Sequence, residues 1–168
     1  MSARLLAIDP GLSGALAVVD TGCALEIEDL PTVTVDRGGK AKRQIDVAAL
    51  AADVRRLAPV HAIIERVGAR PGQGVSSMFA FGRSVGQVEG VVAALGIPIT
   101  YVTPQIWRKA LAVPAGKDGS RLRASQLLPA YAERWRRAKD DGRAEAALIG
   151  LYGLLHLGLL RASAGEAA

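Results

Sequence analysis

Leu5-Leu6-Ala7-Ile8-Asp9-Pro10-Gly11-Leu12-Ser13-Gly14-Ala15-Leu16-Ala17-Val18-Val19-Asp20 is the stretch on which the fold turns. An apolar run ends on an acid, a Pro-Gly pair breaks it, and a second apolar run ends on a second acid. Short apolar runs bounded by turn formers read as strands, here Leu5–Asp9 and Gly14–Asp20. Thr21-Gly22 is the next turn, and Ala24–Leu30 supplies a third strand, so the three form an antiparallel meander.

Residues 32–44 are polar and basic with Gly38-Gly39 among them, and are expected to form a loop. Asp46 is placed to cap a helix over Val47–Leu57, where Val47, Leu50, Ala51, Val54 and Leu57 recur at helical spacing. His61–Glu65 is a buried strand followed by a glycine-rich loop from Gly68 to Gly74. A long helix then opens at Ser76 or Ser77 and ends near Gly96. Its Gly82, Gly86 and Gly90 share one side, and glycine costs about 1 kcal/mol per helical position relative to alanine. Three on one side imply close approach of another backbone, within the fold or across a dimer. Ile99–Val102 is a further strand, Pro104 starts a short helix through Leu111, and a last helix runs from Asp141 to Leu160. Trp107 and Trp135 belong to the core. Strands first, then helices interleaved with single strands, give a mixed α/β sandwich. The 168 residues make a single domain over residues 1–160, with a frayed tail at 161–168.

Half of the residues are apolar, enough for a core, which excludes a disordered chain. No apolar run reaches the length of a membrane span, and Asp9 comes too early for a secretory leader, so a cytoplasmic setting is expected. A single cysteine, Cys23, excludes a disulfide framework and a cysteine zinc site. His61 and His156 are far apart, so carboxylates would have to hold any metal. The charge is concentrated. Pro104 to Arg143 holds ten Lys or Arg against four acids, a net of +6, and the rest of the chain carries −1. Such a zone is the footprint of a phosphate-backbone binder, and also that of a solvated basic helix face.

Four acids stand out by position. Asp9 and Glu65 each end an apolar strand, where a carboxylate is costly to bury unless a cation neutralises it. Asp141 and Glu145 lie four apart, within about 40° on one helix face. A helix N-terminus favours acids, which accounts for one aspartate better than for Glu145. Together the four would make an all-oxygen cage for Mg²⁺ or Mn²⁺, and two such ions can activate a water and stabilise a leaving oxygen in phosphodiester hydrolysis.

These segments also resemble a known family. LLAIDPGLSGALAVVD, AIIERV, MFAFGRSVGQVEGVVAALGIPITYVTPQIWR and DDGRAEAALIG, in that order, are similar to the RuvC family of Holliday-junction resolvases over roughly residues 4 to 156. The closing segment and PAGKDGSR are nearest the phage-like and chloroplast-type branches. The resemblance implies an RNase H-like α/β fold, a mixed five-stranded sheet with helices on both faces. It also implies a bacterial or prophage-encoded homodimer that nicks opposing strands of a four-way DNA junction, using two Mg²⁺ or Mn²⁺ ions per site. A branch-migration motor is an open partner.

Carried over, Asp9 and Glu65 match the acids ending the family's first and fourth strands, and Asp141 and Glu145 match its closing acidic pair. Bacterial RuvC commonly has two acids three apart, often both Asp, so Asp140 is a rival for Asp141. Lys117 resembles the basic residue that helps neutralise the scissile phosphate. Ser120, Arg121 and Arg123 open a helix where they would grip phosphates. Arg70, Gln73 and Phe79 fall in the region that meets the junction, and Gly82, Gly86 and Gly90 in the helix that forms the dimer. Two rival readings remain. One is a branched-DNA-binding module without nuclease activity. The other is an ATP-handling chain, because DPGLSGALAV also resembles the phosphate loop of actin and sugar kinases, whose two lobes 168 residues do not supply.

Overall fold

The computed structural model describes every residue except 1, 2, 37, 67, 69–71, 73 and 159–168. β1 (Arg4–Asp9), β2 (Ala15–Asp20) and β3 (Leu25–Asp29) form the expected meander. β6 (His61–Glu65) lies parallel to β1 on its other side, and β7 (Ile99–Val102) lies parallel to β6. The sheet therefore has five strands in the order β3-β2-β1-β6-β7 and mixes antiparallel with parallel pairs.

Alternate side chains leave opposite faces of a strand, and each face here is covered. Leu6, Ile8, Leu16 and Val18 meet α1 (Val47–Leu57) through Leu50, Val54 and Leu57, and α2 (Val75–Ala94) through Val88 and Val92. Burying each of these side chains is worth about 1.5–3 kcal/mol. Asp46 caps α1 as its position predicts, accepting the Ala49 N–H at 3.0 Å. Leu5, Ala7, Ala17 and Val19 meet α5 (Asp141–Leu155), which is buried from Ala146 to Leu154. α3 (Pro104–Ala110) and α4 (Gly119–Leu127) pack outside that helix, with Trp107 and Trp135 in the core.

α5 lies directly on the sheet because Gly150 has no side chain. A Cβ there would come within 2.7 Å of the Val19 Cγ2 and 3.2 Å of the Ala7 Cβ. Gly150→Val is expected to cost about 3 kcal/mol through overpacking, read as a lower urea midpoint.

Three boundaries differ from the sequence reading. Residues 32–44 are not a loop: β4 (Thr32–Asp36) and β5 (Ala41–Ile45) pair as a separate antiparallel hairpin. Gly38 and Gly39 take φ of +65° and +76°, and Asp36 accepts the Gly39 N–H at 2.8 Å, which closes the turn. α2 starts at Val75, ahead of either serine, because Gly74 caps it without a side chain. α5 ends at Leu155 rather than Leu160, and Gly158 follows at φ +60°.

Candidate active site

Ile8 stands opposite Ile64 in the parallel β1–β6 ladder, so Asp9 and Glu65 end adjacent strands at nearly the same level. Ala7 and Ile63 face α5, and a period of two puts Asp9 and Glu65 on that same face. Glu65 is only 6 % exposed, and its Oε1 accepts the Trp107 indole N–H at 2.7 Å. The first turns of α5 bring Glu145 to the corner. Gly142 passes so close that a Cβ there would lie 3.2 Å from the Asp9 Oδ2.

Burial, then the charges of Glu145 and Glu65, push the Asp9 carboxyl up to about 7, against a lowering hydrogen bond from the Gly11 backbone. The shift is a stability effect with a definite sign. In the unfolded chain this carboxyl ionises near 3.8, so the fold carries no penalty below about pH 4 and the full penalty above pH 7. That rise corresponds to about 4 kcal/mol. Unfolding in EDTA should therefore find Asp9→Asn more stable than the wild type at pH 8 by about 2–4 kcal/mol, and equal to it at pH 4.

The other acids are held by arginines. Glu145 Oε1 accepts from Arg108 Nη1 at 2.9 Å and from the Ser120 hydroxyl at 2.8 Å. Asp141 accepts from Arg121 Nε at 2.6 Å, and Arg121 also pairs with Asp118. Asp140, 4 % exposed, accepts two bonds from the Arg137 guanidinium at 3.0 and 2.9 Å and a third from the Arg137 backbone N–H. That pairing holds its carboxyl below the usual range and closes the 3₁₀ turn Ala138–Asp140. Asp9 thus feels both Glu65 and Glu145, Asp141 sits one turn from Glu145 on Arg121, and Asp140 is turned to Arg137.

By chemistry the set fits a hard divalent cation: all-oxygen donors whose mutual repulsion a cation would relieve. Among the described residues, no three His, Cys, Asp or Glu side chains close on a common point as they stand. Glu145 is engaged by Arg108 and Ser120, and Glu65 by Trp107.

The expected DNA contacts divide. Lys117 is exposed on the loop before α4, two residues from Gly119, whose Cβ position lies 3.7 Å from Arg108 Nη2. Ser120 was expected to face phosphates but is 3 % exposed, because its hydroxyl is turned inward to Glu145 and Arg108. Arg121 is committed to Asp141 and Asp118, and Arg123 to the Leu111 carbonyl and Gln126, so neither presents a free guanidinium. Arg70 and Gln73 lie outside the described residues. Phe79 is 71 % exposed, and Phe81 is half-buried. Gly82, Gly86 and Gly90 are exposed with no described atom within 4 Å of their Cβ positions, so among the described residues no close approach is made there.

Much of the basic zone is engaged by partners within the chain. Arg134 donates to the Ile27 carbonyl, Arg137 pairs with Asp140, and Arg143 clasps Asp29 through two bonds of 2.6 Å. Beside the Asp9 turn, a cavity of about 390 Å³ runs between the hairpin and α2, lined by Leu12, Lys42, Arg43, Phe79, Arg83 and Gln87 among others. Sequence reasoning missed Arg108 and the site role of Trp107. The only signal was an arginine beside a core tryptophan.

The fold has solved counterparts. RuvC of Thermus thermophilus in complex with Holliday junction substrate superposes with a TM-score of 0.63 at 16 % identity, covering 94 % of this chain and 96 % of that one. A second Thermus thermophilus RuvC structure gives 0.55 at 17 % identity, over 92 % and 96 %. The yeast mitochondrial Holliday junction resolvase Ydc2 gives 0.53 at 16 % identity, over 89 % and 76 %. No protein-family model matches the chain, and no curated protein matches it in sequence. The architecture is the RNase H-like α/β fold of these resolvases.

Proposed function

We propose that this chain is a structure-selective endodeoxyribonuclease that resolves four-way DNA junctions. The observation that carries the reading is the corner where Asp9 and Glu65 end adjacent parallel strands and Glu145 descends on them from α5, in a fold shared with a resolvase solved on its junction. Asp9, Glu65 and Glu145 would hold Mg²⁺ or Mn²⁺, with Asp141 joining them once it leaves Arg121. When bound, the ions would supply an activated water and charge for the leaving oxygen.

The protein's own residues have separate tasks. Asp9, repelled by both glutamates, is the carboxylate with most to gain from a cation. Lys117, exposed on its loop, offers positive charge to the phosphate under attack. The exposed Phe79 ring, Lys42 and Arg83 flank the cavity beside the Asp9 turn and offer a surface to a strand leaving the corner. The open Gly82, Gly86 and Gly90 stripe of α2 is the surface through which two copies would set two sites against opposing strands.

The test is an end-labelled immobile four-way junction, with linear duplex of the same sequence beside it, in Mg²⁺, Mn²⁺ and EDTA. Paired, symmetric, metal-dependent nicks in the junction only are expected. Equal cutting of the duplex would keep a nuclease and discard junction selectivity. One observation favours a second reading, a junction-binding module without nuclease activity: arginines occupy Glu145 and Asp141. Tight junction binding with no cutting under any metal would establish that reading instead.

A further inference from the structure

Glu145 is the carboxylate that α5 contributes to the corner, and it already has a cation. Arg108 Nη1 donates to its Oε1 at 2.9 Å, and the Ser120 hydroxyl donates to the same oxygen at 2.8 Å. Two hydrogen bonds fill the lone-pair directions of that oxygen. Arg108 Nη1 also reaches the Ser120 oxygen at 2.8 Å, so the three side chains form a closed triangle. The guanidinium is further held 5.4 Å from the centroid of the Trp107 ring, and Trp107 is itself tied to Glu65 through its indole N–H. Two adjacent residues of α3 thus hold the two glutamates, one on a strand end and one on α5.

We infer that Arg108 is the resident counter-cation of Glu145 and competes with a divalent ion for that carboxylate. The inference rests on the proposed reading of the corner as a cation site. A guanidinium and a divalent ion on one carboxylate repel each other, so the protein trades metal affinity for a folded ion-free state. The same geometry accounts for why the acids do not close on a common point. Arg108 is a positioning residue here, acting through Glu145.

The direction of the effect is diagnostic, because structural damage weakens metal binding and loss of a competitor strengthens it. Calorimetric titration with Mn²⁺ should show Arg108→Gln binding roughly tenfold more tightly than the wild type, while Arg108→Lys, which keeps the charge, stays within about threefold. Unchanged or weaker binding in Arg108→Gln would overturn the inference. A second measurement needs no change at Arg108. In Trp135→Phe protein Trp107 is the only indole, and Mg²⁺ does not itself quench it. Its emission should shift over the calorimetric binding range as the guanidinium leaves its face. Constant emission while Mg²⁺ binds would overturn the inference and leave the metal reading standing. If neither wild type nor Arg108→Gln takes up a divalent ion, both the metal reading and this inference fail.

Discussion

Asp9→Asn is expected to lower junction cleavage roughly a thousandfold while leaving junction binding within about threefold. The substitution keeps the shape of the side chain and removes its charge. Asp9 sits against Gly142 and between two glutamates, and burial together with their charges holds its carboxyl up near 7. A group in that setting gains more than its neighbours from a bound cation, so its loss should fall on the chemistry. Because the same change relieves repulsion, the inactive variant should be more stable than the wild type in EDTA at pH 8. Loss of activity accompanied by a gain in stability separates a site residue from a structural one. An active Asp9→Asn protein would remove the corner from the mechanism.

A large loss of stability is expected from Gly142→Ala. On a free helix surface that change would favour folding by about 1 kcal/mol. Here an added Cβ would sit 2.4 Å from the Ser13 carbonyl oxygen and 2.9 Å from the Gly14 Cα, both backbone atoms of the β1–β2 turn. Neither retreats without moving the turn that follows Asp9. Relief therefore requires α5 to lift from the sheet, which forfeits packing along Ala146, Ala147 and Gly150. The net cost is about 3 kcal/mol, or a fall in Tm of roughly 6–12 °C for a chain of this length. Glu145 rides on the same helix, so divalent ion affinity should fall with it. A Gly142→Ala protein that melts with the wild type would show that α5 is not held at this distance.

Asp9 and Glu65 were legible because an apolar strand that stops on an acid is a local pattern, and the parallel pairing of their strands brings the two acids level. Helix geometry put Asp141 and Glu145 on one face, yet it carries nothing about which arginine each would meet. Asp141 went to Arg121 of α4, and Glu145 to Arg108 of α3. Such choices depend on how three helices pack. The hairpin was missed because Ala41–Ile45 has no alternation of apolar residues, and the pairing is set instead by β-branched Thr32–Val35 and by the glycine turn. The basic zone was left open between two readings for a related reason. A charge count does not distinguish an arginine awaiting a phosphate from one clasping Asp29 or Asp140.

Asp9, Glu65 and Glu145 are proposed to form one divalent cation site. Diffraction from crystals equilibrated with Mn²⁺, recorded at the manganese absorption edge, tests it with no assumption about substrate. An anomalous peak is expected in the corner, about 2.1 Å from an Asp9 carboxylate oxygen and bounded by the two glutamates, with Arg108 turned away from Glu145. A corner free of manganese at saturating concentration, with Arg108 still on Glu145, would contradict it.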